Sequence, residues 1–278
     1  MSVQVSIICN AYNHGQFIRE ALDGFLNQKT NFEYEVLVHD DASTDETSRI
    51  ILEYASKYPA IIKPIIQENN QYSKGINITK TFQLPRAKGK YIAICEGDDY
   101  WIDEHKLQMQ YDVLENNTSV DMCTHSAKEI DWESGKITQQ ISPSDHDRIL
   151  TLGDVINGGG VYLATASLMY RKNIELDPPK FREAYEIDYT LQVSGAIRGG
   201  IYYINRCMSV YRFMTPESWT KTLRKDHAKK LEHKVKMRNA LRLMDEETNR
   251  KYHSYFRRVI FDNCIRSMVL RVLTVFDN

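Results

Sequence analysis

Residues 3–43 read VQVSIICNAYNHGQFIREALDGFLNQKTNFEYEVLVHDDAS, and the order of patterns within them decides the fold class. Residues 3–9 form an apolar run of strand length, rich in β-branched side chains, that stops at polar residues 10–13. Phe17, Ala21, Leu22 and Phe25 then recur at helical spacing, and residues 34–39 make a second strand-like run ending on Asp40 and Asp41. Working outward, Ile50, Ile51, Tyr54, Ala55 and Tyr58 repeat the helical spacing, and strand-like runs follow at 61–66 and 91–95. Ser43 and Glu46 have the spacing of a capping box at the start of the second helix. Strand, helix, strand, helix, strand in this order predicts parallel strands with right-handed crossovers, because parallel neighbours need a helix-length return. The expected class is α/β, doubly wound in its first half.

In such a sheet ligands collect beyond the carboxyl ends of the strands. The clusters NAYN (10–13), HDDAS (39–43) and EGDD (96–99) each follow a strand directly, so all three are expected on one rim. Adjacent carboxylates repel, and either pair, Asp40–Asp41 or Asp98–Asp99, admits three readings: a metal site, a ribose-binding acid or a solvated turn. Two such pairs on a common edge favour a cation, and a hard divalent ion sharing diphosphate oxygens, Mg²⁺ or Mn²⁺, is the natural one. Glycine-rich phosphate cradles are missing from the sequence: neither GxxxxGK[ST] nor GxGxxG occurs, and Gly158 to Gly160 do not open a helix after a first strand. A metal would then take the place of the cradle, which suits a nucleotide-sugar bound through its pyrophosphate.

The rest of the chain is read more coarsely. A helix is predicted over 106–116, loops or a hairpin around Gly135 within 131–154, an apolar run at 161–170, and long helices from 217 onward. The expected organisation is one α/β domain over 1–215 and a helical extension over 216–278. A net charge of −1, with the basic residues gathered in the last quarter, does not point to nucleic acid. Five widely spaced cysteines without a CxxC pair indicate neither a disulfide framework nor a zinc knot, and a reducing cytoplasm is expected. No secretory signal is read at the start. The apolar stretch 264–276 is cut by Arg266 and Arg271 and is shorter than the roughly 20 residues a spanning helix needs.

Three longer stretches together carry a resemblance: VSIICNAYNHGQFIREALDGFLNQ, YEVLVHDDASTDET and AKGKYIAICEGDDYWIDEHKLQMQ. In order and spacing they resemble the family 2 glycosyltransferases of the GT-A fold, over about residues 3–115. A fourth stretch, AYEIDYTLQVSGAIRGGIYYINRCMSVYRF, is similar to the part of that family that supplies the catalytic base, which extends the likeness to about residue 213. The resemblance implies a GT-A fold, a mixed, mostly parallel sheet flanked by helices. It also implies a metal-dependent, inverting transfer from a nucleotide-sugar, with a UDP-sugar favoured, to a saccharide or lipid-linked saccharide in bacterial surface-polysaccharide synthesis.

Position by position, the family implies that Asn10 and Tyr12 line the base and ribose pocket, that Asp41 contacts the nucleobase with Asp40 supporting its turn, and that Asp98 approaches the ribose. Asp99 is expected to bind the metal, Mn²⁺ or Mg²⁺, and Asp188 to be the general base, with Glu186 shaping or charging the site. Glu96 stands where many relatives carry Asp. Met214 stands where many carry a histidine, and its thioether is a poor partner for a hard ion. Trp101 and Tyr189 are open between sugar-stacking walls and packing, Arg212 between a diphosphate contact and a structural salt bridge, and the loop around Lys74 and Gly75 between a closing flap and a surface turn. His14 and His39 are read as wall residues, and Cys9 and Cys95 as packing. The basic helical tail leaves contact with anionic lipid and plain solvation open. Two rivals share the fold: a non-catalytic nucleotide-sugar-binding protein, disfavoured by the retained Asp188, and a sugar nucleotidyltransferase, disfavoured because CNAYNHGQ is not a glycine-rich basic loop.

Overall fold

The structure, a computed structural model, describes residues 2–216 and 218–276, with 224 and 266–276 described in their backbone alone. The expectations placed on 1, 217, 277 and 278, and on the charges of Arg266 and Arg271, lie outside what is described.

The first half builds β1 (Val3–Ala11), α1 (Ile18–Leu26), β2 (Glu33–Asp40), α2 (Thr47–Lys57), β3 (Ile62–Ile66), β4 (Tyr91–Ile94), the short β5 (Tyr100–Trp101) and α3 (Lys106–Asn116). Strand β1 pairs parallel with both β2 and β4, and β2 pairs parallel with β3. The register sets Asn10 opposite His39 and Ala11 opposite Asp40, while Ile8 lies opposite Ile94, so the strand-end clusters emerge level with one another. Between β3 and β4 the return is not a regular helix: a wide turn, Thr79–Gln83, runs into a tight one, Leu84–Arg86. Gln83 donates from Nε2 to the carbonyls of Cys9 (3.3 Å) and Leu37 (3.0 Å), and the Arg86 guanidinium donates to those of Val38 (3.1 Å) and Lys63 (2.8 Å). Backbone acceptors that would cost free energy if buried unpaired are thus satisfied by side chains.

The second half adds β6 (Met122–Asp131), β7 (Ile137–Ile141), β8 (Arg148–Leu150), α4 (Leu152–Gly158), β9 (Met169–Arg171), α5 (Lys180–Ala184), α6 (Asp188–Ala196), β10 (Ile201–Phe213), α7 (Trp219–Lys225), α8 (His227–Glu247) and α9 (His253–Phe276). Strands β6 and β7 form the hairpin expected around Gly135, whose φ of 66° suits a residue without a Cβ. The strands join one sheet in the order β3-β2-β1-β4-β9-β6-β10-β5, with β7 beside β6 and β8 beside β10. Parallel pairs dominate one side, while β9 runs antiparallel to both β4 and β6.

Alternation along β1 divides the core. Val5, Ile7 and Cys9 face one layer with Ile18, Leu22, Phe25, Ile50 and Leu107, whereas Ile8 faces the other with Val155, Phe181, Val193 and Tyr203. Each fully buried Leu or Phe contributes about 2 kcal/mol through removal of apolar surface from water. The last helices share the second layer, where Ala240, Leu241, Met244 and Phe256 are fully buried. Among the described residues no helix is long and apolar enough to cross a membrane.

The capping box at α2 does not form. The Ser43 hydroxyl donates to Asp40 and accepts from the N–H of Asn13 (2.9 Å), and Asp45 Oδ1 instead takes the N–H of Thr47 (3.0 Å). A buried carboxylate demands donors more strongly than a helix end open to water, so Asp40 takes the hydroxyl.

Candidate active site at the strand ends

Beyond β1, Asn10 joins three segments: Nδ2 donates to Thr79 Oγ1 (3.1 Å) and Glu96 Oε1 (3.4 Å), and Oδ1 accepts from Gln83 (3.2 Å). Gly97 donates its N–H to the carbonyl of Asn10 (2.9 Å), and a Cβ there would stand 2.8 Å from His14 Nδ1 and 2.9 Å from Ile18. A side chain at 97 would oblige His14 and Ile18 to shift. Tyr12 is partly exposed on the same rim.

The two acidic pairs meet different surroundings. Asp40 is fully buried and accepts the hydroxyls of Ser43 and Ser48. Asp41 is 4% exposed and accepts the backbone N–H groups of Gln71 (2.8 Å) and Tyr72 (3.0 Å), which fastens the segment holding Lys74 and Gly75 onto the rim. The supporting role expected of Asp40 matches its position, whereas Asp41 spends its carboxylate on that segment.

Asp98 and Asp99 are held from the far side of the sheet. Strand β10 runs antiparallel to β5, with Val210 opposite Tyr100, and this places the N–H of Arg212 2.9 Å from Asp99 Oδ1. The Arg212 guanidinium donates to the carbonyl of Asp98 (2.7 Å), pairs with Glu20 (2.8 Å) and lies 4.3 Å from the Tyr100 ring centroid. Of its two readings, the structural one describes these contacts. Asp98 Oδ2 accepts the hydroxyl of Thr215 (2.8 Å) and lies 4.0 Å from His14 Nε2. Met214 adopts a φ of 64°, a left-handed turn that carries the chain from Arg212 to Thr215.

Asp188 is the first residue of α6, and its Oδ2 accepts the hydroxyl of Thr165. Its carboxyl opens to solvent on one side and is crowded by protein on the others, which raises its pKa against the lowering effect of that hydrogen bond. Glu96 feels Asp188 across the rim: burial, then the charges of Asp188 and Asp98, push it up to about 8. Burial and the charge of Asp98 likewise lift Asp99 well above the usual carboxylate range, against the backbone hydrogen bond from Arg212. The rim thus gathers acids whose mutual repulsion Arg212 offsets only in part.

This donor set is all oxygen and strongly negative, which fits a hard divalent cation. Among the described residues no three His, Cys, Asp or Glu side chains converge closely enough to hold one on their own. One or two carboxylates completed by a ligand's phosphate oxygens is the arrangement such residues allow.

Other expectations resolve by burial. Trp101 and Tyr189 are core residues, 4% and 2% exposed, donating to the carbonyls of Ala166 (2.9 Å) and Ile156 (3.0 Å), so neither is a sugar-stacking wall. Glu186 turns to Arg182 (2.8 Å). His39 is buried, stacked on Phe82, with burial lowering its pKa. Cys9 and Cys95 are buried thiols whose pKa is raised by burial, which makes them unreactive. Sequence reasoning missed Thr79, Thr165 and Thr215, single hydroxyls whose partners lie 69, 23 and 117 residues away in the chain and leave no local spacing to read.

Comparison with known proteins places this arrangement. The sequence model described as Glycosyl transferase family 2 matches residues 6–175. An uncharacterized protein of Mycobacterium tuberculosis is 37% identical over 208 residues, 75% of this chain and 58% of its own length. The chain therefore spans less than two thirds of that relative. A UDP-Glc:alpha-D-GlcNAc-diphosphoundecaprenol beta-1,3-glucosyltransferase of Escherichia coli is 35% identical over 116 residues, 41% of this chain and 43% of that one. Among solved structures, S. aureus TarS 1-349 in complex with UDP superposes with a TM-score of 0.61 at 21% identity, covering 88% of this chain and 65% of that one. The mannosyltransferase PcManGT from Pyrobaculum calidifontis, in complex with GDP-Man and Mn²⁺, does so at 0.54 and 14% identity, covering 98% and 74%. At these identities the two structures speak to the fold alone, which is that of the GT-A transferases.

Proposed function

Because this chain belongs to glycosyl transferase family 2, we propose that it moves a sugar from a nucleotide-sugar to a hydroxyl of a saccharide or lipid-linked saccharide, with inversion at the anomeric carbon, in surface-polysaccharide synthesis. The observation that carries this reading is the acidic rim, where Glu96 and Asp98 follow β4 and the start of α6 brings Asp188 near enough that burial and the charges of Asp188 and Asp98 push Glu96 up to about 8. Acids gathered this way need a cation or proton donors, and a metal-diphosphate supplies the first. A UDP-sugar is the proposed donor, a choice supported by the UDP-Glc named as donor for the E. coli relative.

Asp188 is the proposed general base. Its exposed carboxylate takes the proton of the acceptor hydroxyl while the bond from that oxygen to the anomeric carbon forms and the bond to the diphosphate breaks. The nucleoside diphosphate leaves with the bonding electron pair. A single carboxylate on the acceptor side, with no second nucleophile proposed, gives direct displacement and inversion. Asn10 and Tyr12 are proposed to line the nucleoside, with Asp41 reaching the base once the 71–72 segment yields. The geometry favours one exchange of expected roles: Asp99 has Oδ1 on the Arg212 N–H and is 4% exposed, so the more open Asp98 is assigned to the cation, with Asp99 supporting it from behind. Mn²⁺ or Mg²⁺ bound there would neutralise charge on the departing diphosphate.

Calorimetric titration of UDP, GDP and their sugars, with and without Mn²⁺, tests the reading on wild type, Asp98→Ala and Asp99→Ala. Metal-dependent binding of one nucleotide, lost in Asp98→Ala, is the expected result. Binding indifferent to metal and to both variants would overturn it, and binding without any release of free sugar would convert the protein to a pure nucleotide binder.

A further inference from the structure

The tight turn Thr165–Ser167 lies beside α6, and an unusual number of buried polar groups is spent on holding it. Trp101 Nε1 donates to the carbonyl of Ala166 (2.9 Å), and Gln110 Nε2 donates to those of Ser167 (2.8 Å) and Cys123 (3.2 Å). The Ser167 hydroxyl donates to the carbonyl of Ala164 (2.6 Å) and meets Thr124 Oγ1 at 2.6 Å. Lys106 is fully buried, donates to Gln110 Oε1 (2.6 Å) and sits 3.9 Å from the centroid of the Trp101 ring. From α6 itself, Gln192 donates to the carbonyl of Leu163 (3.2 Å). The turn is therefore tied to β5, α3, β6 and α6 at once.

Such a network is costly unless fully satisfied, and when satisfied it fixes geometry. Burying an amine is the most expensive part, and its effect here is to orient Gln110 so that both of its N–H groups face carbonyls. What the network immobilises is the backbone on either side of Thr165, whose own hydroxyl points away from it to Asp188 Oδ2.

We propose that Thr165 is a positioning residue for Asp188: its hydroxyl holds Oδ2 and the rotamer, leaving Oδ1 to meet the acceptor hydroxyl. The inference rests on the reading of Asp188 as the base. The contact also favours the ionised form, against the crowding at α6, while the Glu96 carboxyl, itself pushed up to about 8, faces Asp188 from beyond β4. The turn itself brings no charged group to the carboxylate, and Thr165 is its contribution.

The test compares wild type with Thr165→Val and Thr165→Ser in Mn²⁺-loaded protein, using hydrolysis of UDP-glucose, where water stands in for the acceptor. Thr165→Val is expected to lower kcat by about 10- to 100-fold with the donor KM unchanged, and to move the acidic limb of the pH profile upward, with Thr165→Ser restoring both. A valine variant matching wild type, or one that loses donor affinity in parallel, would overturn the proposal. Should wild type release no sugar, the functional reading fails by itself, and carboxyl NMR of ¹³C-labelled Asp188 still decides the contact. A higher titration midpoint in Thr165→Val, with unfolding temperature retained, supports it; an unchanged midpoint refutes it.

Discussion

Asp40–Asp41 and Asp98–Asp99 look alike in the sequence, each a pair of acids directly behind a buried strand, yet the chain treats them in opposite ways. Every oxygen contact described for the first pair is to a neutral donor close at hand: Ser43, Ser48 and the N–H groups of Gln71 and Tyr72. The second pair has further acid beside it in Glu96, which in turn feels Asp188, and is held by Arg212 on β10 and Thr215 just past its end. The lesson is that two acidic pairs alike in sequence differ in how far the protein offsets their charge. In the first pair Asp40 builds the rim and Asp41 is engaged with the 71–72 segment; in the second Asp98 is the carboxylate more open to a ligand.

The largest expected effect lies at the unanswered end. Asp188→Asn should reduce donor hydrolysis by about 10³-fold while leaving nucleotide affinity within a small factor, because the amide keeps the shape and cannot take a proton. Steady-state rates and calorimetry on one preparation check this; equal loss of binding and rate would place Asp188 in donor binding instead.

At the satisfied pair the signature should invert. Asp40→Ala removes the acceptor of two buried hydroxyls and is expected to cost about 3 kcal/mol in urea unfolding. The nucleotide affinity of the protein that remains folded should hardly move. A variant that kept its stability and lost nucleotide would dissolve the distinction between the pairs.

Protonation sharpens the comparison. Glu96 titrates at about 8 in the folded chain against 4.5 ordinarily, so between these values the folded state holds more protons than the unfolded one. Stability of the metal-free protein should therefore fall as pH rises from about 4.5 to 8, and Mn²⁺ with UDP should reverse the trend. Unfolding temperatures of wild type and Glu96→Gln across this window provide the measurement, with a flatter curve expected for Gln. A wild-type curve as flat as the variant's would remove the electrostatic argument. The smallest effect belongs to Ser43→Ala, about 1 kcal/mol, since Asp40 keeps its second hydroxyl from Ser48.

Much of the fold was legible from the chain. The strand runs at 3–9, 34–39, 61–66 and 91–95 appear with boundaries shifted by one or two residues, two helices lie between the first three, and α3 stands at its expected bounds. Each is announced by periodicity within a few residues of itself. The capping box failed because its serine had a stronger claim elsewhere. Trp101 and Tyr189 stayed open between wall and packing because an aromatic beside a rim and one beneath it look the same in one dimension; burial decides for packing.

The sequence by itself determined the order of strands and helices in the first half and hence the edge onto which the clusters behind β1, β2 and β4 emerge, since periodicity is a local property. Only the tertiary structure decided which acids are satisfied and which residues hold them. Arg212 and Thr215 reach Asp99 and Asp98 across 113 and 117 residues of chain, and no spacing encodes a contact made by the pairing of β10 with β5.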